Sequence, residues 1–194
     1  MGEVFELAKE FVTMELPQIE DLLDKDIHEA RAGAVKIMAL QASGRKAPEE
    51  LRRDLYELYL RRHDRINNWD LVDLGAGSVV GGWLVDKPRD VLYGLARSPN
   101  LWERRTAIVA TSWFLRTGDT EDTFAIAELL LDDTEDLIHK ATGGWLREAG
   151  RSDMPRLLEF LDAHAATMPR TALRYAIEHL DKPERDHYMR LKTA

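Results

Sequence analysis

The sequence has no cysteine, no long apolar run and no excess of basic residues. The lack of cysteine excludes disulfides, thiolate zinc sites and cysteine nucleophiles, and it is compatible with a reducing cytoplasm. The most apolar stretch, residues 79–85, is far too short to cross a membrane, and the first residues lack the basic start of a signal peptide. We therefore expect a soluble cytoplasmic protein, associated with the nucleoid if the source is bacterial.

The formal net charge is −8, from 27 basic and 35 acidic side chains. Because phosphate binding depends on lysine and arginine, this charge argues against a protein that simply coats nucleic acid. Two interpretations stay open: an acidic protein without a polyanionic partner, or a curved protein whose basic side chains line one groove. The positions of the arginines therefore matter more than the net charge.

Six of the seven prolines directly precede an amphipathic run in which apolar residues recur every three or four positions. Proline is well tolerated in a first helical turn because the N–H there has no intrahelical acceptor. No segment shows the alternation that is typical of a strand. The sequence predicts an all-α fold of about twelve helices, at residues 3–13, 17–24, 27–42, 48–61, 68–84, 88–97, 101–117, 121–132, 135–149, 153–165, 169–180 and 183–192.

Five helix starts, at residues 28, 66, 101, 136 and 167, resemble one another and are 31 to 38 residues apart. This period fits two-helix units slightly shorter than standard HEAT repeats. We therefore predict one domain, residues 1–194, that forms a right-handed α-solenoid of antiparallel helix pairs. Basic residues near these starts (Arg31, Arg105, Lys140 and Arg170) either form a basic stripe on the concave face or bind acids of neighbouring repeats.

The densest cluster of aromatic and acidic side chains lies at residues 66–73. Asn68 can cap a helix whose first turn contains Trp69 and Asp70. Trp69 and Asp73 are four residues apart, so they share one face of that helix, and Asp70 lies near Asp73. Taken alone, this pattern also fits a capped helix with a buried tryptophan.

Five segments, in order and at similar spacing, resemble signature segments of the AlkD-type DNA alkylation repair glycosylases, a family of HEAT-like repeat proteins. The resemblance covers the chain from about residue 3 onward. The segments are residues 66–73, 100–109, 135–143, 146–148 and 168–177.

The resemblance implies a concave groove that holds duplex DNA containing N3- or N7-alkylated purines, in a monomeric protein. It implies hydrolysis of the N-glycosidic bond without metal, nucleotide or other cofactor. Asp73 would stabilise the oxocarbenium sugar and orient the water, Trp69 would pack against the deoxyribose and lesion, and Arg105 would hold a backbone phosphate. Further DNA contacts are implied for Arg104, Lys140, Arg147, Arg170 and Arg174.

Two features depart from the family pattern. Gly144 stands where the family has its second active-site tryptophan, and Trp145 follows it. One step along a helix is a rotation of about 100°, so Trp145 does not simply replace that side chain. We expect Trp145 to pack in the core and one wall of the site to be missing. We also expect the family's usual additional N-terminal helical region to be absent, which predicts weaker DNA binding.

Other sites are not supported. The glycine run at residues 75–81 has the wrong spacing for a dinucleotide loop and is better explained by close helix packing, and the six histidines show no metal-ligand spacing. The leading prediction is a DNA glycosylase with Asp73 as its essential carboxylate. The alternatives are a non-catalytic HEAT-like protein that binds distorted DNA, favoured by Gly144, and a protein-binding scaffold, which the negative charge permits.

Overall fold

The computed structural model describes residues 2–191, and within this range the chain is helical and contains no strand. It divides into two compact units, residues 1–89 and 90–194. Each predicted helical segment corresponds to one helix or to two or three successive helical stretches, so the all-α prediction is confirmed. The predicted end of the last helix, at residue 192, lies outside the described residues. No helix among residues 2–191 is long and apolar enough to span a membrane.

The first unit is built around helix α3. Its helices are α1 (Gly2–Glu10), α2 (Leu16–Leu23), α3 (His28–Ala42), α4 (Glu49–Arg61), α5 (Trp69–Gly75), a π-helical stretch π1 (Ala76–Gly81) and α6 (Gly82–Leu84). Helix α3 packs against α1, α2, α4, α5 and π1. It can do so because it is rich in alanine and buries side chains around most of its circumference, among them Ala34, Val35 and Met38.

The second unit is built around helix α11. Its helices are α7 (Asp90–Ala96), α8 (Leu101–Ala110), α9 (Ser112–Leu115), α10 (Glu121–Leu129), α11 (Asp136–Ser152), α12 (Met154–His164), α13 (Arg170–Ala176) and α14 (Lys182–Arg190). Helix α11 packs against α8, α9, α10, α12 and α13. Its core includes Ile108, Ile138 and Leu173, all fully buried.

Glycines allow these helices to approach closely. A Cβ added at Gly143 would lie 2.2 Å from the Ala172 carbonyl oxygen, and one added at Gly150 would lie 2.3 Å from Leu157 Cδ2. Helix α11 therefore continues to Ser152, three residues beyond its predicted end, because Gly150 serves close packing and does not stop the helix.

The helices that begin the predicted repeats start at His28, Trp69, Leu101, Asp136 and Arg170, within three residues of the expected positions. They form layers within each unit: α3 packs on α5 in the first, and α11 packs on both α8 and α13 in the second. This arrangement is consistent with an α-solenoid. The right-handed sense and the single domain stay predictions.

Three helices end three or four residues before their predicted ends. These are α1, α10 and α13, which end at Glu10, Leu129 and Ala176. The chain beyond each helix tightens into turns with i→i−3 hydrogen bonds, such as Met14 N–H to the Phe11 carbonyl at 2.9 Å. Apolar periodicity alone does not distinguish such a tightened turn from a further helical turn.

Candidate active site at the start of helix α5

The first turn of α5 is fixed by side-chain caps. The Trp69 N–H donates to Asn68 Oδ1 at 2.7 Å, which confirms Asn68 as the N-cap. The Leu71 N–H donates to Asp70 Oδ1 at 3.0 Å. These bonds satisfy two amide groups that otherwise have no acceptor within the helix, so the turn that carries Trp69 is well defined.

Helix α5 has a buried face and an exposed face. Leu71, Val72 and Gly75 are buried, whereas Asp73 is exposed and Trp69 is 52% exposed. The alternative of a capped helix with a buried tryptophan is therefore only half right: the helix is capped, but the tryptophan is at the surface. A large apolar ring exposed one turn from a carboxylate is a surface able to contact a ligand with apolar and cationic character.

Gly75 allows α5 to pack closely against α3 and α4. A Cβ at Gly75 would lie 2.7 Å from Val35 Cγ1 and 2.8 Å from Tyr59 Cε2, so any larger residue would push α5 away from α3 and α4. At this residue the interpretation of the glycine run as close packing is confirmed. The run continues directly into the π-helical stretch Ala76–Gly81, a wider helical turn that often lies near functional sites.

A histidine missed by the sequence analysis braces the same turn. His28, the first residue of α3, has its Nε2 atom 2.7 Å from Asp70 Oδ2. Both side chains are partly buried, at 31% and 20% exposure. Asp70 thus bonds both its own helix and α3, which links the starts of the two helices. Because the partners are 42 residues apart in sequence, no local pattern predicted the bond.

Arg65 strengthens the same link. Its Nε and Nη2 atoms donate to the carbonyl oxygens of Leu23, Asp24 and Lys25 at 2.8 to 3.0 Å. Its Nη2 atom also lies 3.2 Å from Asp26 Oδ1. The turn before α3 and the turn before α5 are therefore tied together by one guanidinium group and by the His28–Asp70 bond.

Arg105, predicted to hold a phosphate, lies in the second unit and is buried, with 7% of its surface exposed. Its Nη1 atom donates to the Leu137 carbonyl oxygen at 2.7 Å. Leu137 belongs to α11, so Arg105 connects α8 to the first turn of α11.

Three of the other basic residues predicted to contact DNA bind protein groups. Arg104 donates to Asp133 Oδ2 at 2.6 Å and to the carbonyl oxygens of Ser98 and Pro99, each at 3.0 Å. Arg147 is paired with Glu178 and Glu148, and Arg170 donates to the Met189 carbonyl oxygen at 2.5 Å and to that of Leu191. Among the basic residues near the repeat starts, Arg105 and Arg170 donate to backbone carbonyl oxygens of neighbouring helices.

Lys140 and Arg174 are the two predicted DNA contacts with exposed side chains. Lys140 Nζ lies 2.7 Å from Asp136 Oδ2, one turn earlier in α11. The hydrogen bond from Lys140, helped by one from Thr171, holds the pKa of Asp136 below its usual value, and the same pair raises the pKa of Lys140. Arg174 makes a 3.3 Å hydrogen bond to Thr171 Oγ1. Pairs this exposed exchange readily with solvent and salt.

Gly144 faces open space, since a Cβ added there would meet no atom within 4 Å. Trp145 is half-buried and lines a shallow cavity of about 270 Å³ with Leu115, Arg116 and Arg151. The expectation that Trp145 packs in the core is wrong: the rotation of one residue turns its ring toward α9, where it remains partly accessible. In the described part of the chain, no group of three or more histidine or acidic side chains could hold a metal ion.

Fold and site together define an all-α protein of stacked helix pairs with an exposed tryptophan–carboxylate face. A family model described as DNA alkylation repair enzyme matches residues 1–180. The chain belongs to this family, and membership supports a role in DNA repair with DNA as the substrate. No curated protein is similar enough to this chain to count as a match.

Proposed function

We propose that this protein is a DNA glycosylase that hydrolyses the N-glycosidic bond of cationic N3- or N7-alkylated purines in duplex DNA. The observation that carries the proposal is the exposure of Trp69 and Asp73 on one face of a capped, tightly packed helix. Alkylation at N3 or N7 places a positive charge on the base, so the base departs as a neutral molecule once the bond to C1′ breaks. The electron pair of that bond goes to the base, and water supplies the oxygen to C1′.

Asp73 is suited to stabilise the positive charge that develops on the sugar during this reaction. As the C1′–N bond breaks, positive charge develops on the deoxyribose, and a fixed carboxylate beside it lowers the energy of that state. The same carboxylate can accept a hydrogen bond from the attacking water and orient it toward C1′. Its position on α5 is fixed because Gly75 and the caps at Asn68 and Asp70 hold that helix in place.

Trp69 suits the binding of the lesion. Its ring is one helical turn from Asp73, and its exposed surface offers both apolar area for the deoxyribose and a π face for a cationic purine. Removal of the ring is expected to weaken binding to the lesion more than to undamaged DNA.

Among the basic residues, Lys140 and Arg174 are the better candidates for phosphate contacts, because their side chains are exposed. Arg105 is assigned a different part in this proposal. Its side chain is buried, and its hydrogen bond to the Leu137 carbonyl oxygen supports a positioning role, in which Arg105 fixes the start of α11. Arg104, Arg147 and Arg170 have protein partners that fit the same kind of structural role.

The test is release of free base from duplex DNA that contains 7-methylguanine or 3-methyladenine, followed chromatographically for the wild type and Asp73→Asn. The proposal expects release by the wild type and loss of about 100-fold or more in the variant, the usual cost of removing a key electrostatic group. Release that continues unchanged in Asp73→Asn would contradict the assignment of the carboxylate.

A second candidate, a DNA-binding relative without glycosylase activity, is favoured by the open space at Gly144. Such a protein lacks one wall of the site and can bind a distorted duplex without breaking a bond. It would bind duplex DNA with an affinity that falls as salt is raised, yet release no base. A protein-binding scaffold would show no DNA affinity even at low salt.

A further inference from the structure

We propose that Ile27 is a further substrate-contacting residue, held beside Trp69 so that the two form one apolar surface next to Asp73. This inference rests on the proposed function, because it names a further contact for the same DNA substrate. Ile27 is the N-cap residue of α3 and is 65% exposed, more than any other large apolar side chain of residues 2–191.

The juxtaposition follows from a hydrogen bond between the chain neighbours of the two residues. Ile27 immediately precedes His28, and Trp69 immediately precedes Asp70, and the His28 and Asp70 side chains are 2.7 Å apart. Ile27 and Trp69 thus lie at the N-termini of α3 and α5, and the His28–Asp70 hydrogen bond joins these two N-termini. Trp69 is 52% exposed, so the two tips place two large apolar side chains at the surface of one unit.

The turn that carries Ile27 is fixed by hydrogen bonds and an ion pair. Arg65 donates to the carbonyl oxygens of Asp24 and Lys25 at 2.8 and 2.9 Å, and Arg62 binds the Asp24 carboxylate. The hydrogen bond from Arg62 holds the pKa of Asp24 below its usual value. A braced turn keeps an exposed isoleucine at a fixed position, and exposing it without a partner is unfavourable in water. A contact with the apolar face of a deoxyribose or base would remove that surface from water.

The absence of cysteine allows a direct test of this arrangement. Ile27→Cys provides the only thiol, which is labelled with bimane, a fluorophore that tryptophan quenches at short range. In the DNA-free protein, we expect the bimane fluorescence to be quenched by Trp69 and the quenching to be relieved by Trp69→Phe. Addition of a duplex with a tetrahydrofuran abasic-site analogue is expected to change the fluorescence, whereas the matched undamaged duplex changes it less. Leu7→Cys on α1, at a side chain that is 53% exposed, is the matched labelling control.

A functional comparison completes the test. Ile27→Ser is expected to weaken binding to the abasic-site duplex about tenfold, the effect of losing one large apolar contact, while Leu7→Ser leaves it unchanged. Because Ile27 is mostly exposed, its replacement leaves the helical circular dichroism spectrum and melting temperature near those of the wild type.

The outcomes separate this inference from the proposed function. The contact is overturned if Ile27→Ser binds DNA as the wild type does and if no Trp69-dependent quenching occurs at position 27. If the wild type still releases base in that case, the glycosylase assignment stays intact. Quenching, a fluorescence response to the abasic-site duplex and weakened binding support the contact even if the wild type releases no base, a result that would contradict the glycosylase.

Discussion

The adjacent glycines of α11 predict opposite responses to the same substitution. A Cβ at Gly143 would lie 2.2 Å from the Ala172 carbonyl oxygen and 2.7 Å from Tyr175 Cβ, whereas a Cβ at Gly144 would have no atom within 4 Å. Gly143→Ala should therefore destabilise the protein, and Gly144→Ala should stabilise it. The pair is a matched one, because both changes add one methyl group to neighbouring positions of the same helix.

The magnitudes follow from two effects. Alanine is favoured over glycine in a helix interior by roughly 0.5–1 kcal/mol, and at Gly144 nothing opposes this gain. At Gly143 the obstacle is backbone, which cannot rotate away, so α11 and α13 must separate by roughly 1 Å to restore an ordinary contact distance. Overpacking of this kind costs about 1–3 kcal/mol or more, which outweighs the gain in helix propensity.

Differential scanning calorimetry of the two variants and the wild type measures both effects. For a chain of this length about 1 kcal/mol shifts the melting temperature by roughly 2–4 °C, so Gly143→Ala should melt several degrees lower and Gly144→Ala up to a few degrees higher. Urea unfolding followed by circular dichroism gives the corresponding changes in midpoint. If Gly143→Ala melts at or above the wild-type temperature, the close approach of α11 to Ala172 is refuted.

Three further predictions concern the site and the stability of the fold. Gly144→Trp introduces the aromatic side chain that the AlkD-type family has at this position, so we expect it to raise the single-turnover rate of base release about fivefold or more over Gly144→Ala, the effect of one stacking contact worth about 1–3 kcal/mol; equal rates would count against a role for this position. His28→Ala should lower the free energy of unfolding by about 1–3 kcal/mol by leaving Asp70 Oδ2 without its hydrogen-bond partner, and His28→Gln should lower it less; urea unfolding measures both, and equal losses would argue against the hydrogen bond. Burial raises the pKa of Tyr188 to about 12, assisted by its 2.8 Å hydrogen bond to Asp162. The stability gained from this raised pKa is present below about pH 10 and lost toward pH 12, so Tyr188→Phe should lose less stability than the wild type over that range in pH-dependent melts; identical losses would contradict the assignment.

Much of the fold could be predicted from the sequence because helices leave local signals. Proline before an amphipathic run marks a helix start, and apolar spacing marks its length, so the starts of α4, α12 and α13 lie within one residue of the expected positions. The cap at Asn68 was also predictable, since capping depends on residues within one turn. Boundaries were less accurate where the chain tightens into a turn, as after Leu129.

The candidate site could be predicted only in part. Trp69 and Asp73 share a face by simple helical spacing, but their exposure depends on which side of α5 packs against Val35 and Tyr59. The bond of His28 to Asp70 joins residues 42 apart in sequence, and no periodicity encodes such a contact.

The basic residues illustrate the same limit. The positions of Arg105 and Arg170 near helix starts left two interpretations open, a basic stripe on a concave face or bonds to acids of neighbouring repeats. The structure shows that both bind backbone carbonyls, of Leu137 for Arg105 and of Met189 for Arg170. Arginine at the start of a helix serves either purpose, and only the location of the neighbouring carbonyl groups distinguishes them.

The central claim, that Asp73 is the carboxylate acting on the sugar, is tested most directly by comparing Asp73→Asn with Asp70→Asn in single-turnover release of 7-methylguanine from duplex DNA. Asparagine at position 70 can still accept from the Leu71 N–H and donate to His28, so this variant controls for the loss of one charge on the same helix. The account predicts a loss of about 100- to 1,000-fold for Asp73→Asn and less than about tenfold for Asp70→Asn. Equal losses in the two variants, or full activity in Asp73→Asn, would contradict it.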